Sequence, residues 1–168
     1  KWSVSEDAPT PCIRYGELYT KFGAKVDKIY SRTNIDPSKL KFSKGGEILV
    51  PRVGEDPRDF AKCTMLPFPG VAIGEMISVF ETEEDSLFFT YYFNTMKNEF
   101  ASMVAGGNPA NLYYDNLKPL TIWRPSLEEQ KKISSSLDLV DTKLSALRET
   151  ADGLRQFKTG LMQRLFSQ

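Results

Sequence analysis

Apolar residues recur in steps of four and three through the last quarter of the chain, and this spacing constrains the fold more than any other feature. The series is Ile133, Leu137, Val140, Leu144, Leu147, Ala151, Leu154, Leu161 and Leu165, with Lys158 as its one break. In heptad terms Leu137, Leu144, Ala151, Lys158 and Leu165 share one seam position, and Ile133, Val140, Leu147, Leu154 and Leu161 the other. Ser126 is a helix cap and Glu129 completes a capping box. No proline falls inside the stretch, and Gly153 costs about 1 kcal/mol relative to Ala. At about 1.5 Å per residue, Ile133 to Leu165 predicts a rod roughly 50 Å long. The rod either packs as a C-terminal helix on its own domain or forms a coiled coil with a second long helix. No other segment predicts a helix of that length, so a coiled-coil partner is expected from another chain.

The remaining length suits one compact domain, giving expected boundaries of 1–124 for the domain and 125–168 for the rod. An apolar share of 40%, with 12% aromatic residues, excludes a disordered chain. No apolar run reaches the roughly 18 residues of a membrane span. The start, Lys1-Trp2-Ser3-Val4-Ser5, is not a signal peptide and lacks Met, so a chain processed or cut from something longer is expected. Cys12 and Cys63 are expected as reduced thiols in the cytoplasm. Net charge is zero but uneven: +3 over residues 1–65, −5 over 66–120 and +2 over 121–168. A basic first third and a basic rod agree with a polyanionic partner and equally with ordinary solvated faces.

In chain order, Pro11 to Tyr19 predicts a short strand around Ile13, then a helical turn over Glu17 to Phe22. Lys25 to Tyr30 alternates like a strand, with Ser31 to Asn34 as a polar turn. Glu47 to Val50 predicts a buried strand stopped by Pro51, followed by Arg52-Val53-Gly54 on an exposed loop. Gly70 to Ile73 and Met76 to Phe80 predict two strands, as a hairpin around Gly74-Glu75. Ser86 to Val104 predicts one helix with a wide aromatic face that belongs to the core, ended by Gly106-Gly107. Asn108 to Tyr114 is a polar loop, and Leu117 to Trp123 a final strand.

Catalytic equipment is missing. Without a His there is no His base, no Ser-His-Asp or Cys-His arrangement and no His metal ligand. No glycine-rich phosphate loop occurs. Neither a catalytic residue, a metal nor a cofactor is therefore expected, and the chain reads as a binding protein.

Several stretches resemble the specificity subunit of type I restriction-modification systems. They include Ile13-Arg14-Tyr15-Gly16-Glu17-Leu18-Tyr19-Thr20, and Gly46-Glu47-Ile48-Leu49 running into Pro51-Arg52-Val53-Gly54. Gly70 to Ile73, the aromatic helix ending in Gly106-Gly107, and Asn111-Leu112 with Asp115-Asn116-Leu117 continue the likeness. Its most specific part is Pro125-Ser126-Leu127-Glu128-Glu129-Gln130 at the start of the rod, and Lys158 to Leu165 match the family's helix end.

The resemblance implies an α+β chain, a small mixed target-recognition domain followed by a long coiled-coil helix, that does no chemistry itself. Each such domain reads one half of a split target in double-stranded DNA. Paired antiparallel helices set the spacing and hold the adenine methyltransferase subunits, with the restriction and translocase subunit joining the complex. This chain carries one domain and one helix where the full subunit has two of each. It is therefore expected to be a fragment awaiting its other half, or a half-sized subunit that dimerises and demands an inverted-repeat target. A rod of roughly 50 Å equals about fifteen base-pair rises, enough to hold two readers more than a helical turn apart.

Candidate DNA contacts are Arg14, Lys25, Arg32, Lys44 and Arg52, for phosphates or guanine edges, with Asn108, Asn111 and Tyr113 reaching from the glycine loop. Each lysine reads equally well as a solvated surface group. The rival reading is a dimeric coiled-coil adaptor whose globular end binds protein instead of DNA. A salt-dependent DNA affinity discriminates the two.

Overall fold

The computed structural model describes residues 6–104 and 110–166. The chain divides into two compact units, Lys1–Leu127 and Glu128–Gln168. In order, the first unit comprises β1 (Thr10–Ile13), α1 (Tyr15–Thr20), β2 (Ser31–Thr33), β3 (Lys41–Phe42), β4 (Glu47–Pro51), β5 (Val53–Gly54) and β6 (Thr64–Leu66). It continues with β7 (Ala72–Ile73), β8 (Ile77–Phe80), α2 (Ser86–Thr95), α3 (Lys97–Met103), β9 (Ala110–Asn111) and α4 (Tyr114–Leu117). Helix α5 (Leu127–Phe166) follows. This is the expected α+β architecture, a small mixed domain followed by a long C-terminal helix.

Among the described residues, three small sheets build the first unit. One runs in the order β2-β1-β7-β3, a second β6-β4-β8, and β5 pairs with β9. β1 and β7 are parallel, with Cys12 opposite Ala72 and Ile13 opposite Ile73. β4 is antiparallel to β6 and to β8, and all five of its residues are buried. Such full burial explains its continuous apolar run, Ile48-Leu49-Val50, in place of an alternating pattern. Ile13, Leu18, Val26, Leu49, Leu66, Val71 and Ile73 form one core cluster, against which Phe22, Ile29, Ile77 and Val79 pack.

Six expectations need correction. Ser31 to Thr33 is a strand where a polar turn was expected, and Lys25 contributes only an isolated bridge to Met65. The polar side chains are compatible with a strand because Ser31 and Thr33 face inward, where the Ser31 hydroxyl donates to Glu17 Oε1 at 2.7 Å. Val53-Gly54 is a half-buried strand on β9, not part of a free loop. The hairpin around Gly74-Glu75 does not form: β7 joins β1 and β3, whereas β8 crosses to β4. The aromatic helix is two helices broken at Met96, whose ψ of 42° leaves the helical region. Met96 and Phe100 are both buried there, as the core role of this face requires. Finally, Leu117 closes the short α4, and 118–126 has no regular structure. That segment is held by rings: Trp123 lies 5.7 Å from Phe88 and 6.4 Å from Tyr92, and its backbone N–H donates to the Tyr92 hydroxyl at 3.2 Å. The helix end expected at Gly106-Gly107 lies outside the described residues.

α5 is a helix of 40 residues, about 60 Å long. Most of its seam residues are exposed. Leu137 is 39% exposed, Leu147 65% and Leu165 68%, with Val140, Leu144, Leu154 and Leu161 also exposed.

Candidate nucleic-acid interface

A chain of backbone hydrogen bonds gathers the ends of four strands onto one edge of the first unit. After β7, Gly74 N–H donates to Ile13 O at 2.8 Å, laying the 74–76 turn beside Arg14. After β4, Arg52 N–H donates to Met76 O at 2.9 Å, and Arg52 O accepts from Leu112 N–H at 3.0 Å. Val53 then pairs with Asn111. Arg14, the 74–76 turn, Arg52, Asn111 and Tyr113 therefore share this edge, although they lie up to about a hundred residues apart.

Local bonds make the edge firm. Glu17 is buried, and its Oε2 accepts from Arg14 N–H at 2.8 Å while Oε1 takes the Ser31 hydroxyl. The two carboxylate oxygens thus tie the loop after β1 to β2. The Arg14 guanidinium lies 4.0 Å from Glu17 Oε1 with its side chain half-exposed. The Tyr19 hydroxyl donates to Val53 O at 2.8 Å, anchoring β5 from below. Burial pushes the Tyr19 phenol well above its ordinary range, with Asp59 adding to the effect, so it remains a donor. Arg52 is half-buried, and its Nη2 lies 3.4 Å from Met76 Sδ. Tyr113 is 52% exposed, and Tyr15 and Met76 are also exposed on this edge. The exposed Glu75 on the same turn makes the edge mixed in charge, and a carboxylate there matches a cytosine amino group.

The other candidates are dispersed. Arg32 sits opposite Pro11, toward the start of β1, and its guanidinium donates to the carbonyls of Ala8 and Pro9. Lys25 lies half-buried at its bridge to Met65. Lys44 is exposed, and its ammonium holds both carboxylate oxygens of Glu81, at 2.9 and 2.8 Å. That hydrogen-bonded pairing raises the Lys44 pKa and lowers that of Glu81. Asn108 lies outside the described residues.

Sequence reasoning missed Glu17, Tyr19, Gly74 and Met76. No local signal could have found them, because nothing in the linear chain says that Glu17 is buried. Among the described residues no cluster of His, Cys, Asp or Glu could hold a metal ion, and no helix is long and apolar enough to cross a membrane.

An exposed edge with two arginines, an amide and phenol rings can hydrogen-bond phosphates and base edges, and can stack. A family model for the type I restriction modification DNA specificity domain matches residues 12–152. No curated protein matches the chain. Among solved structures, the crystal structure of a type I restriction-modification system S subunit from M. genitalium has a similar fold, with a TM-score of 0.59 at 20% identity. The match covers 99% of this chain and 46% of that one, so the chain spans about half the length of that subunit.

Proposed function

The chain belongs to the type I restriction modification DNA specificity domain family, and from that premise we propose that it reads one half of a bipartite DNA target for a methyltransferase complex. The observation that carries this reading is the edge formed by Arg14, Arg52, Asn111 and Tyr113, which four strand ends present together. Arg14 and Arg52 supply donors for phosphate or guanine, and Asn111 and Tyr113 approach bases or sugar from the neighbouring strand. Lys25, Arg32 and Lys44 have secondary parts at most, as distant phosphate contacts. Asn108 remains a base or backbone contact in this proposal.

The exposed seam of α5 supports pairing with a second long helix, either in another copy or in the other half of a full specificity subunit. Antiparallel pairing places two readers at opposite ends of the rod, with methyltransferase subunits docked along it and the restriction subunit recruited through them. The chain itself is non-catalytic and works on cytoplasmic DNA in this scheme.

Co-expression with a type I methyltransferase subunit from the same locus, followed by mapping of N6-methyladenine, tests the proposal. A split, inverted-repeat motif supports a dimeric specificity module and gives target and spacing together. No new methylation from two proteins that associate points to a missing half. Failure to associate overturns the reading and leaves the coiled-coil adaptor.

A further inference from the structure

Met76 is the one non-glycine residue with positive φ, at 62°, among the described residues. A side chain with a Cβ is disfavoured in this region, and Gly, Asn or Asp would occupy it at lower cost. Burial offers little compensation, because Met76 is 39% exposed. Its surroundings are specific nonetheless. Met76 O accepts from Arg52 N–H at 2.9 Å, and Met76 Sδ lies 3.4 Å from Arg52 Nη2. Main chain and thioether both engage the same arginine, and the Arg52 carbonyl passes the connection to Leu112, next to the exposed Tyr113.

We propose that Met76 is a base-reading residue, steering Arg52 toward a guanine edge and laying its own thioether against the 5-methyl group of an adjacent thymine. This rests on the DNA-reading function above. A guanidinium engaged at one amino group keeps further donors for guanine O6 and N7, and apolar side chains discriminate thymine by its methyl group. An unbranched, polarisable side chain adapts to a base step better than a branched one. The left-handed turn holds Met76 alongside Arg52 on the exposed edge, where core packing does not explain its side chain.

The test uses the chain together with its methyltransferase subunits. Motifs and methylation rates are compared for the wild type, Met76→Gly and Met76→Ala, with thermal melting of each. Met76→Gly removes the disfavoured backbone contact, so its melting temperature should be unchanged or higher. Discrimination at one base pair of each half-target should nevertheless fall about tenfold. Replacing thymine by deoxyuridine at that position should slow the wild type by a similar factor and leave Met76→Gly unaffected. Unchanged motifs with rates within about twofold in both variants would overturn the Met76 assignment while leaving the DNA-reading function intact. A wild-type complex that associates but shows no sequence preference would instead overturn that function, and this inference with it.

Discussion

At the scale of single residues, close backbone approach and burial decide more than charge. Gly74 is the sharpest case: a Cβ there would lie 2.7 Å from Ile13 O and 3.3 Å from Arg14 Cα. Both neighbours are main chain and neither can rotate away. Gly74→Ala should therefore cost roughly 1–3 kcal/mol in denaturant unfolding and displace Arg14 from the edge. A midpoint equal to that of the parent would show that the 74–76 turn is not held as described. Cys12 and Cys63 are buried free thiols. Burial, reinforced by Glu17, pushes Cys12 from its ordinary 9.0 up to about 11, and burial pushes Cys63 higher still. Both should resist alkylation at pH 8 until the protein unfolds. The sign of the pH dependence follows by linkage. The unfolded thiol ionises near 9.0 while folded Cys12 keeps its proton to about 11, so its stabilising contribution is full below 9.0 and lost as pH rises through about 11. Denaturant midpoints measured from pH 8 to 11 should fall, and fall less steeply in Cys12→Ala.

At the scale of elements, α5 differs from every other helix in how its order arises. Helices α1, α3 and α4 run six, seven and four residues, too short to persist alone, and depend on packing within the first unit. α5 has 40 residues, with reinforcing pairs such as Glu128–Lys132 at 2.7 Å and Asp152–Arg155 at 2.6 Å. These exposed pairs contribute a few tenths of a kcal/mol each. Its apolar seam has no covering within the helix. An antiparallel pair centred near Glu149 would bring Lys158 against Val140 and Asp141 of the other helix. If that contact fixes register, Lys158→Leu should raise stability but admit a second association state, visible as mixed masses in light scattering. A single two-chain species of unchanged stability would remove Lys158 from any registering role. The break at Met96 shows the opposite case, a periodic apolar row split where tertiary packing demands it.

For the whole molecule, affinity for DNA should come mainly from phosphate neutralisation by few cations. Of five basic candidates, Arg14 and Arg52 share an edge, whereas Lys44 is held by Glu81 and Arg32 by two carbonyls. The salt dependence contributed by this chain should accordingly be shallow. With Arg52 directed at a guanine edge and Arg14 neutralising about one phosphate in each reader, a two-reader complex loses roughly 1.8 in the slope of log affinity against log salt when both arginines are replaced. A slope unchanged by the paired Arg14→Ala and Arg52→Ala substitutions would place DNA on another face.

Much of this organisation was legible in the linear chain. The heptad spacing determined α5, because each helical hydrogen bond closes within four residues and a repeated apolar stripe needs no distant information. The short strand around Ile13, the apolar run of β4, and Arg14, Arg52, Asn111 and Tyr113 as candidates were equally readable. Sheet partners were not. A strand's neighbours are chosen by long-range pairing, so nothing local distinguished a Gly74-Glu75 hairpin from two strands that enter different sheets. Burial of Glu17, the inward turn of Ser31 and Thr33, and the left-handed Met76 depend on those choices in the same way. The sequence by itself determined the rod and supplied the candidate residues for a DNA-reading edge. Only the tertiary structure decided which of them meet, because the bonds that join Ile13, Gly74, Met76, Arg52 and Leu112 close between segments that no local pattern connects.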